Sequence, residues 1–276
     1  MMGPTGAARL SAMRVAIAAG VVMLAGGAVL AQQAAPAPQM PPPHLEKGYL
    51  AAAPAADILT LSPPPPASGS AAEARDLEAS RAGLALHGTP RWTLAIADAD
   101  VFGPKATGAL SCAAGVAIGP ETTPRLEHLL RRSLTDLAMS GAVIKRTYNR
   151  PRPFMANGQP SCTPEWEAML RKDGSYPSGH SAIGYGWSLI LAQLLPDRAA
   201  TLVSRGRAFG DSRRVCNVHW LSDVEEGRVT AAMTVARLNA DPAFRADLDA
   251  VRAELSTAKP PPAGCTAEAS ALALVR

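Results

Sequence analysis

Three short segments of this sequence carry residue types suited to holding and cleaving a phosphate ester. The central one reads Gly174-Ser175-Tyr176-Pro177-Ser178-Gly179-His180-Ser181. Upstream of it, Lys145 is separated by six residues from the pair Arg152-Pro153. Downstream, Arg213 is followed by His219 after five residues and by Asp223 after three more. Each piece alone is a common string, but the three in this order are not. A transferring phosphoryl group spreads negative charge over three equatorial oxygens, and fixed Lys and Arg donors stabilise that charge. Lys145, Arg152 and Arg213 are the candidate cations. For any one of them solvated surface charge is the commoner explanation, and only the combination argues for a phosphate cage.

Ser178 and Gly179 precede an apolar stretch with helical spacing. At a helix start the free backbone N–H groups and the dipole favour an anion, and glycine permits close approach. The Ser178 hydroxyl adds a donor. His219 and Asp223 stand four positions apart, which puts them on one face of a helix. A carboxylate bonded to one imidazole nitrogen fixes the tautomer and leaves the other lone pair free, which makes a neutral histidine an oriented nucleophile. An isolated pair at this spacing would ordinarily be a surface contact. His180, next to Gly179, is the candidate general acid for the leaving oxygen. By itself it would be read as a histidine in a first helical turn with no role in proton transfer.

The elements that must position these residues are helices. Abundant Ala and the near-absence of β-branched runs favour helix over sheet, and no alternating strand or internal repeat is evident. Helices are expected over Ser70 to Leu86, with Ala74, Leu77 and Leu84 on one face, and over Pro90 to Val101, with a loop beginning at Pro104. Thr123-Pro124 starts a helix whose apolar set (Leu126, Leu129, Leu130, Leu134, Leu137, Ala138) carries it to about Tyr148, with Lys145 on its last turn. Pro151 and Pro153 keep Arg152 in a loop. Phe154 to Tyr176 reads as loop, with one short helix around Pro164 to Lys172. Further helices are expected from Ser178 to Pro196, Ala199 to Val215, Asn217 to Leu238 and Pro242 to Leu255. The fold class is all-α.

The chain has 276 residues, of which 47% are apolar and only 4% aromatic, so Ala, Leu and Val supply most of the core. Residues 1–31 read as a secretory signal: Arg9 and Arg14, an apolar run from Val15 to Leu30, and Val29-Leu30-Ala31 as the cleavage site. The rival reading is an uncleaved membrane anchor, but that run is Gly-rich and shorter than the ~20 residues of a spanning helix. No later segment is apolar for long enough to span, so no stable membrane association is expected after cleavage. Subtracting the two leader arginines from the net charge of +4 leaves about +2, too little and too scattered to argue nucleic-acid binding. Residues 32–46 are a Gln/Ala/Pro-rich lead-in expected to be disordered, and 259–276 reads as a tail. Pro63 to Pro66 is a polyproline run that composition alone allows to be either packed or a free linker.

Cys112, Cys162, Cys216 and Cys265 are an even set in a chain read as exported, which favours two disulfides among three pairings. No two of them have metal-ligand spacing, and neither metal nor cofactor is expected.

Together the three segments resemble the signature of the type-2 phosphatidic acid phosphatase and vanadium haloperoxidase superfamily. Gly174 to His180 is similar to the signature of bacterial class A nonspecific acid phosphatases. Likeness extends to Pro63 to Ser70, Gly88 to Trp92, Arg152-Pro153-Phe154 and His219-Trp220 with Ser222-Asp223, and covers roughly Tyr49 to Glu254. The resemblance implies a compact helical domain over 47–258, metal-free hydrolysis through a phosphohistidine, export to the periplasm or beyond, and a homo-oligomer. The preferred reading is a broad-specificity phosphatase of small phosphate monoesters, and since any hydroxyl can capture such an intermediate, transfer of phosphate to alcohols is expected with it. Matched residue by residue, His219 resembles the nucleophile, Asp223 its orienting carboxylate and His180 the acid, and Lys145, Arg152, Ser178, Gly179 and Arg213 resemble the phosphate ligands. Ser181 replaces the usual Thr and keeps its hydroxyl. Cys162 and Cys216 match family cysteines, which implies their pairing; Cys112 and Cys265 have no such counterpart.

Three other readings use the same cage. A vanadate-dependent haloperoxidase is generally much larger, and a lipid phosphatase of the superfamily is normally polytopic. A phosphate-binding protein without turnover would need neither His180 nor His219.

Overall fold

The structure is a computed structural model that describes residues 45–52, 55–261 and 263–274. The signal-peptide reading and nearly all of the lead-in lie outside these residues. In chain order the α-helices are α1 (Ala55–Leu61), α2 (Ala71–Leu84), α3 (Pro90–Ala97), α4 (Ser111–Ala114), α5 (Pro124–Met139), α6 (Ala142–Tyr148), α7 (Pro153–Asn157), α8 (Glu167–Leu170), α9 (Gly179–Leu194), α10 (Ala199–Val215), α11 (Leu221–Ala240), α12 (Pro242–Leu255) and α13 (Cys265–Ala273). Short 3₁₀ turns cover Ala106–Leu110, Pro164–Trp166 and Pro196–Arg198. The described residues contain no strand, as expected for an all-α chain, and no helix long and apolar enough to cross a membrane.

Helix α9 occupies the centre because little of its surface is polar. Ile183, Trp187, Ile190 and Leu191 are all buried, and α9 packs against α5, α10 and α11. The Trp187 indole N–H donates to the Leu130 carbonyl of α5 at 2.9 Å. Truncating a buried Trp costs about 3–5 kcal/mol, a large part of a typical domain's stability of about 5–15 kcal/mol. The element that begins at Ser178 is therefore a rigid mount. Helix α11 can lie close to its start only because of Gly227, where an added Cβ would sit 2.5 Å from the Ser178 carbonyl.

The structure differs from the sequence reading in six places. The helix expected from Pro124 to Tyr148 is two, α5 and α6, broken at Ser140-Gly141, where a Cβ on Gly141 would lie 2.4 Å from Pro177 Cγ. That break lets the loop before α9 reach the end of α6. The stretch from Pro104 forms a 3₁₀ turn and α4, and α7 occupies the start of the expected loop after Phe154. Helix α11 starts at Leu221, leaving Asn217 to Trp220 as a turn. Helix α2 buries Asp76, Ser80 and Gly83, while Leu77 is exposed: its inward face is polar because Asp76 meets Arg150 and Ser222. Residues 265–273, read as tail, form α13, which packs on α3, is joined to α4 by the Cys112–Cys265 disulfide, and places Glu268 3.2 Å from Arg205. The second disulfide is Cys162–Cys216. The polyproline segment is held against the domain, the Tyr176 hydroxyl donating to the Pro63 carbonyl at 2.8 Å.

Candidate active site

Helix α6 ends at Asn149 in the left-handed region (φ 39°), a conformation that Asn tolerates better than most residues. Lys145 sits on its last turn. Pro151 and Pro153 flank Arg152 and keep it extended as the cap of α7, with its side chain buried. Arg152 is held mostly by backbone. Nε donates to the carbonyls of Leu170 and Asp173 at 3.0 and 3.1 Å, and Nη1 to that of Val218 at 3.1 Å. Lys145 Nζ donates to the Gly174 carbonyl and, at 3.1 Å, to Asp173 Oδ2.

At the start of α9 the buried Ser178 hydroxyl caps the helix. It accepts from Ser181 N–H at 3.2 Å and from the Ser181 hydroxyl at 2.9 Å. Both of its lone pairs are thereby used, leaving its own proton to donate outward. Gly179 follows as the first helical residue. The ring of His180 is fixed by a 3.0 Å contact between Nε2 and the Ala99 carbonyl. A carbonyl can only accept, so Nε2 carries the hydrogen and Nδ1 is the nitrogen that gains or loses a second proton.

Arg213 lies on the last turn of α10, fully buried, and its Nε, Nη1 and Nη2 have no hydrogen-bond partner among the described residues. Beyond it the chain turns at Asn217, also left-handed (φ 60°), whose side-chain amide donates to the Gln159 carbonyl at 2.8 Å. The turn brings His219 back so that its N–H donates to the Arg213 carbonyl at 3.3 Å. The His219 Nε2 lies 3.1 Å from Arg152 Nη1, which can only donate, so Nε2 holds the lone pair and Nδ1 the hydrogen. Nδ1 faces Asp223 Oδ2 at 3.3 Å, and the Ser175 carbonyl is a second acceptor for the ring. That Asp223 oxygen also accepts Trp220 N–H at 2.8 Å.

Burial and cations set the protonation states. Burial first, then Arg213, lowers the His180 pKa well below the ordinary 6.5; burial first, then Arg152, does the same for His219. Both rings are neutral in the free protein near neutral pH. Burial pushes the Asp223 pKa up, against the pull of Arg150. Burial and Arg152 push Lys145 down to about 8 and Arg213 to about 9, so both remain cations in acid.

The structure thus gathers the predicted residues around one spot: Lys145 and Arg152 against Asp173, Arg152 against His219, His219 against Asp223, and His180 within the fields of Arg213, His219 and Arg152. The Ser178 N–H also donates to the Asp223 carbonyl at 2.9 Å, tying the start of α9 to α11. Sequence reasoning missed three charged residues here. Arg150 bonds Asp223 Oδ1 at 2.7 Å, Asp76 bonds Arg150 and Ser222, and Asp173 bridges the two cations. Arg150 was visible as a further arginine within the upstream segment. Asp76, 146 positions from Ser222, gave no local signal. Among the described residues no cluster of three or more His, Cys, Asp or Glu is arranged to hold a metal ion.

Residues 132–245 match the model of the PAP2 superfamily, and the chain belongs to that superfamily, among its class A nonspecific acid phosphatases. It is 41% identical over 202 residues to an acid phosphatase of Zymomonas mobilis subsp. mobilis, covering 73% of this chain and 76% of that one. It is 43% identical over 198 residues to a non-specific acid phosphatase of Salmonella typhimurium, covering 70% and 78%. A non-specific acid phosphatase of Providencia stuartii is 35% identical over 212 residues, covering 76% and 86%.

Proposed function

We propose that this protein is an exported acid phosphatase that hydrolyses small phosphate monoesters through a phosphohistidine on His219, without metal or other cofactor. The observation that carries the reading is Arg213, a buried guanidinium whose three nitrogens lack partners among the described residues. An uncompensated buried cation is costly, and a bound phosphate offsets that cost. Lys145, Arg152 and Arg213 then supply the positive charge for the three equatorial oxygens, with the Ser178 hydroxyl and the backbone of Gly179 as further donors.

In the first step the Nε2 lone pair of His219 attacks phosphorus in line. The ester P–O bond breaks, and the leaving oxygen takes the second proton of His180, which Nδ1 picks up from solvent once the bound phosphate dianion offsets the cations around the ring. In the second, His180 removes a proton from water as its oxygen attacks the phosphohistidine. The P–N bond breaks, inorganic phosphate leaves, and both histidines return to their starting states. Asp223 orients the His219 ring throughout. An alcohol can replace water in the second step and yields a new ester. Two disulfides support an oxidising compartment such as the periplasm or the exterior, in keeping with the signal read at 1–31. A homo-oligomer is part of the same proposal.

The test is p-nitrophenyl phosphate hydrolysis at mildly acidic pH with EDTA present, alongside a haloperoxidase assay with vanadate. Activity that survives chelation, with vanadate inhibiting hydrolysis and giving no halide oxidation, supports the reading. Full loss on chelation, restored by metal, overturns it.

A further inference from the structure

The three cations of the site are not equally available. Arg213 is without partners among the described residues, whereas Lys145 and Arg152 share one carboxylate oxygen. Asp173 Oδ2 lies 3.1 Å from Lys145 Nζ and 3.0 Å from Arg152 Nη2. We propose that Asp173 is a built-in competitor for the phosphate site: its carboxylate occupies Lys145 and Arg152 in the free enzyme, phosphate displaces it, and its return helps expel the product. The inference rests on the reading of these residues as phosphate ligands.

Three observations separate this role from a structural one. First, both cations are anchored without the carboxylate, through the carbonyls of Leu170, Asp173 and Val218 for Arg152 and that of Gly174 for Lys145. Second, the Asp173 side chain is 52% exposed while Asp223, the orienting carboxylate, is at 0%. A half-exposed carboxylate can turn into water at little desolvation cost, and a buried one cannot. Third, Asp173 follows α8 in a turn rather than within a helix, so no regular element fixes its rotamer. A single carboxylate oxygen between a lysine and an arginine has the charge and the contacts of one phosphate oxygen.

Binding is then an exchange. Phosphate gains Arg213 outright but must replace a carboxylate at the other two cations, and like-charge repulsion drives Asp173 outward. The gain in affinity lost to this exchange is regained as faster release, since product phosphate meets the same competitor.

Inorganic phosphate is the probe, used both as a competitive inhibitor of p-nitrophenyl phosphate hydrolysis and by direct calorimetric titration, on the full protein and on Asp173→Asn and Asp173→Ala. Both variants should bind phosphate more tightly, by about fivefold for a partly screened pair of this kind. Loss of a merely structural contact would weaken binding instead. Unchanged or weaker phosphate binding in both variants, with the wild type still turning over, overturns the competitor role and leaves the phosphatase reading intact. Tighter binding in the variants beside a wild type without phosphatase activity supports the competitor role and defeats the phosphatase reading.

Discussion

Arg150 joins Asp223 to a helix more than a hundred residues away in sequence: Nη1 lies 2.7 Å from Asp223 Oδ1 and Nη2 lies 2.7 Å from Asp76 Oδ2. The other Asp223 oxygen is left to Trp220 N–H and the His219 ring. One oxygen is therefore fixed from α2, which leaves the other to hold the His219 ring in the orientation the proposed mechanism needs. Arg150→Met should leave KM nearly unchanged and lower kcat by about tenfold to a hundredfold, by analogy with removal of the group behind a metal-ligating histidine. Steady-state kinetics on p-nitrophenyl phosphate check this. A raised KM with unchanged kcat would place Arg150 in substrate binding instead.

The two histidines should separate by leaving group. His219→Ala removes the proposed nucleophile and should abolish nearly all turnover of every ester. His180→Ala should slow an alkyl phosphate by about 10²–10⁴-fold, the usual contribution of a positioned acid, and p-nitrophenyl phosphate far less, because nitrophenolate leaves without help. Substantial activity in His219→Ala, or equal loss on both substrates in His180→Ala, would reverse these assignments.

What the sequence made legible was whatever lies close along the chain. Apolar spacing found α5, α9 and α12 because each meets the core through its own side chains, as Leu126, Trp187 and Phe244 do. The cations and histidines were legible because three short segments each fix a part of the site. What escaped depended on contacts between distant residues. Helix α2 was read from Leu77 and Leu84, yet its buried face is set by Asp76, which turns inward to meet Arg150 and Ser222. Gly141 gave no local sign of a helix break, since the reason lies in Pro177 on another segment. Helix α13 was missed because its anchor, Cys112, stands 153 residues away.

That anchor carries a prediction. The described residues of α13 contribute little core, Ala271 being the buried apolar residue, so the Cys112–Cys265 disulfide and the Glu268–Arg205 pair hold the helix. Cys112→Ser with Cys265→Ser should lower stability by about 2–4 kcal/mol and expose the end of the chain to proteolysis, with kcat unaffected at low temperature. Urea melts and limited proteolysis would show it. Equal resistance of both proteins to protease would mean that packing on α3 suffices.

Stability should fall as the solution is acidified below about pH 6.5. His180 and His219 are held neutral in the folded protein at pH values where the unfolded chain protonates both. The unfolded state then binds more protons, so unfolding free energy rises with pH up to the unfolded histidine value of about 6.5 and is lost below it. Each ring contributes at most about 1.4 kcal/mol per pH unit. Asp223, Asp136 and Glu268, their pKa values raised by burial, act with opposite sign, but only between the ordinary carboxylate values and their own raised ones, and they are common to the wild type and the histidine variant compared below. Urea melts from pH 4.5 to 7.5 on the wild type and on a His180→Asn, His219→Asn protein test this. An identical slope in the two would exclude the histidines as its source.

The rate profile follows from the same groups. His219 must be neutral to attack, and its lowered pKa ensures this well into acid. His180 must be protonated to release the alcohol, and burial with Arg213 beside it makes that proton hard to keep. The alkaline limb of kcat/KM, which reports the free enzyme, should therefore lie below the ordinary histidine value of 6.5. Bound phosphate carries two negative charges into the same cage and offsets Arg213 and Arg152 at His180, so the limb of kcat should lie at higher pH than that of kcat/KM. A second decline is expected near pH 8, where Lys145 loses its proton and the cage one of its three cations. Because the two rings feel each other, the limbs belong to the pair rather than to either residue. Profiles for an alkyl phosphate, compared between the wild type and His180→Asn, separate the contributions. The variant should lose the first decline and keep the one near pH 8. If the first decline survives unchanged, His180 is not the proton donor, and an optimum above about pH 8 in the wild type would end the acid-phosphatase reading.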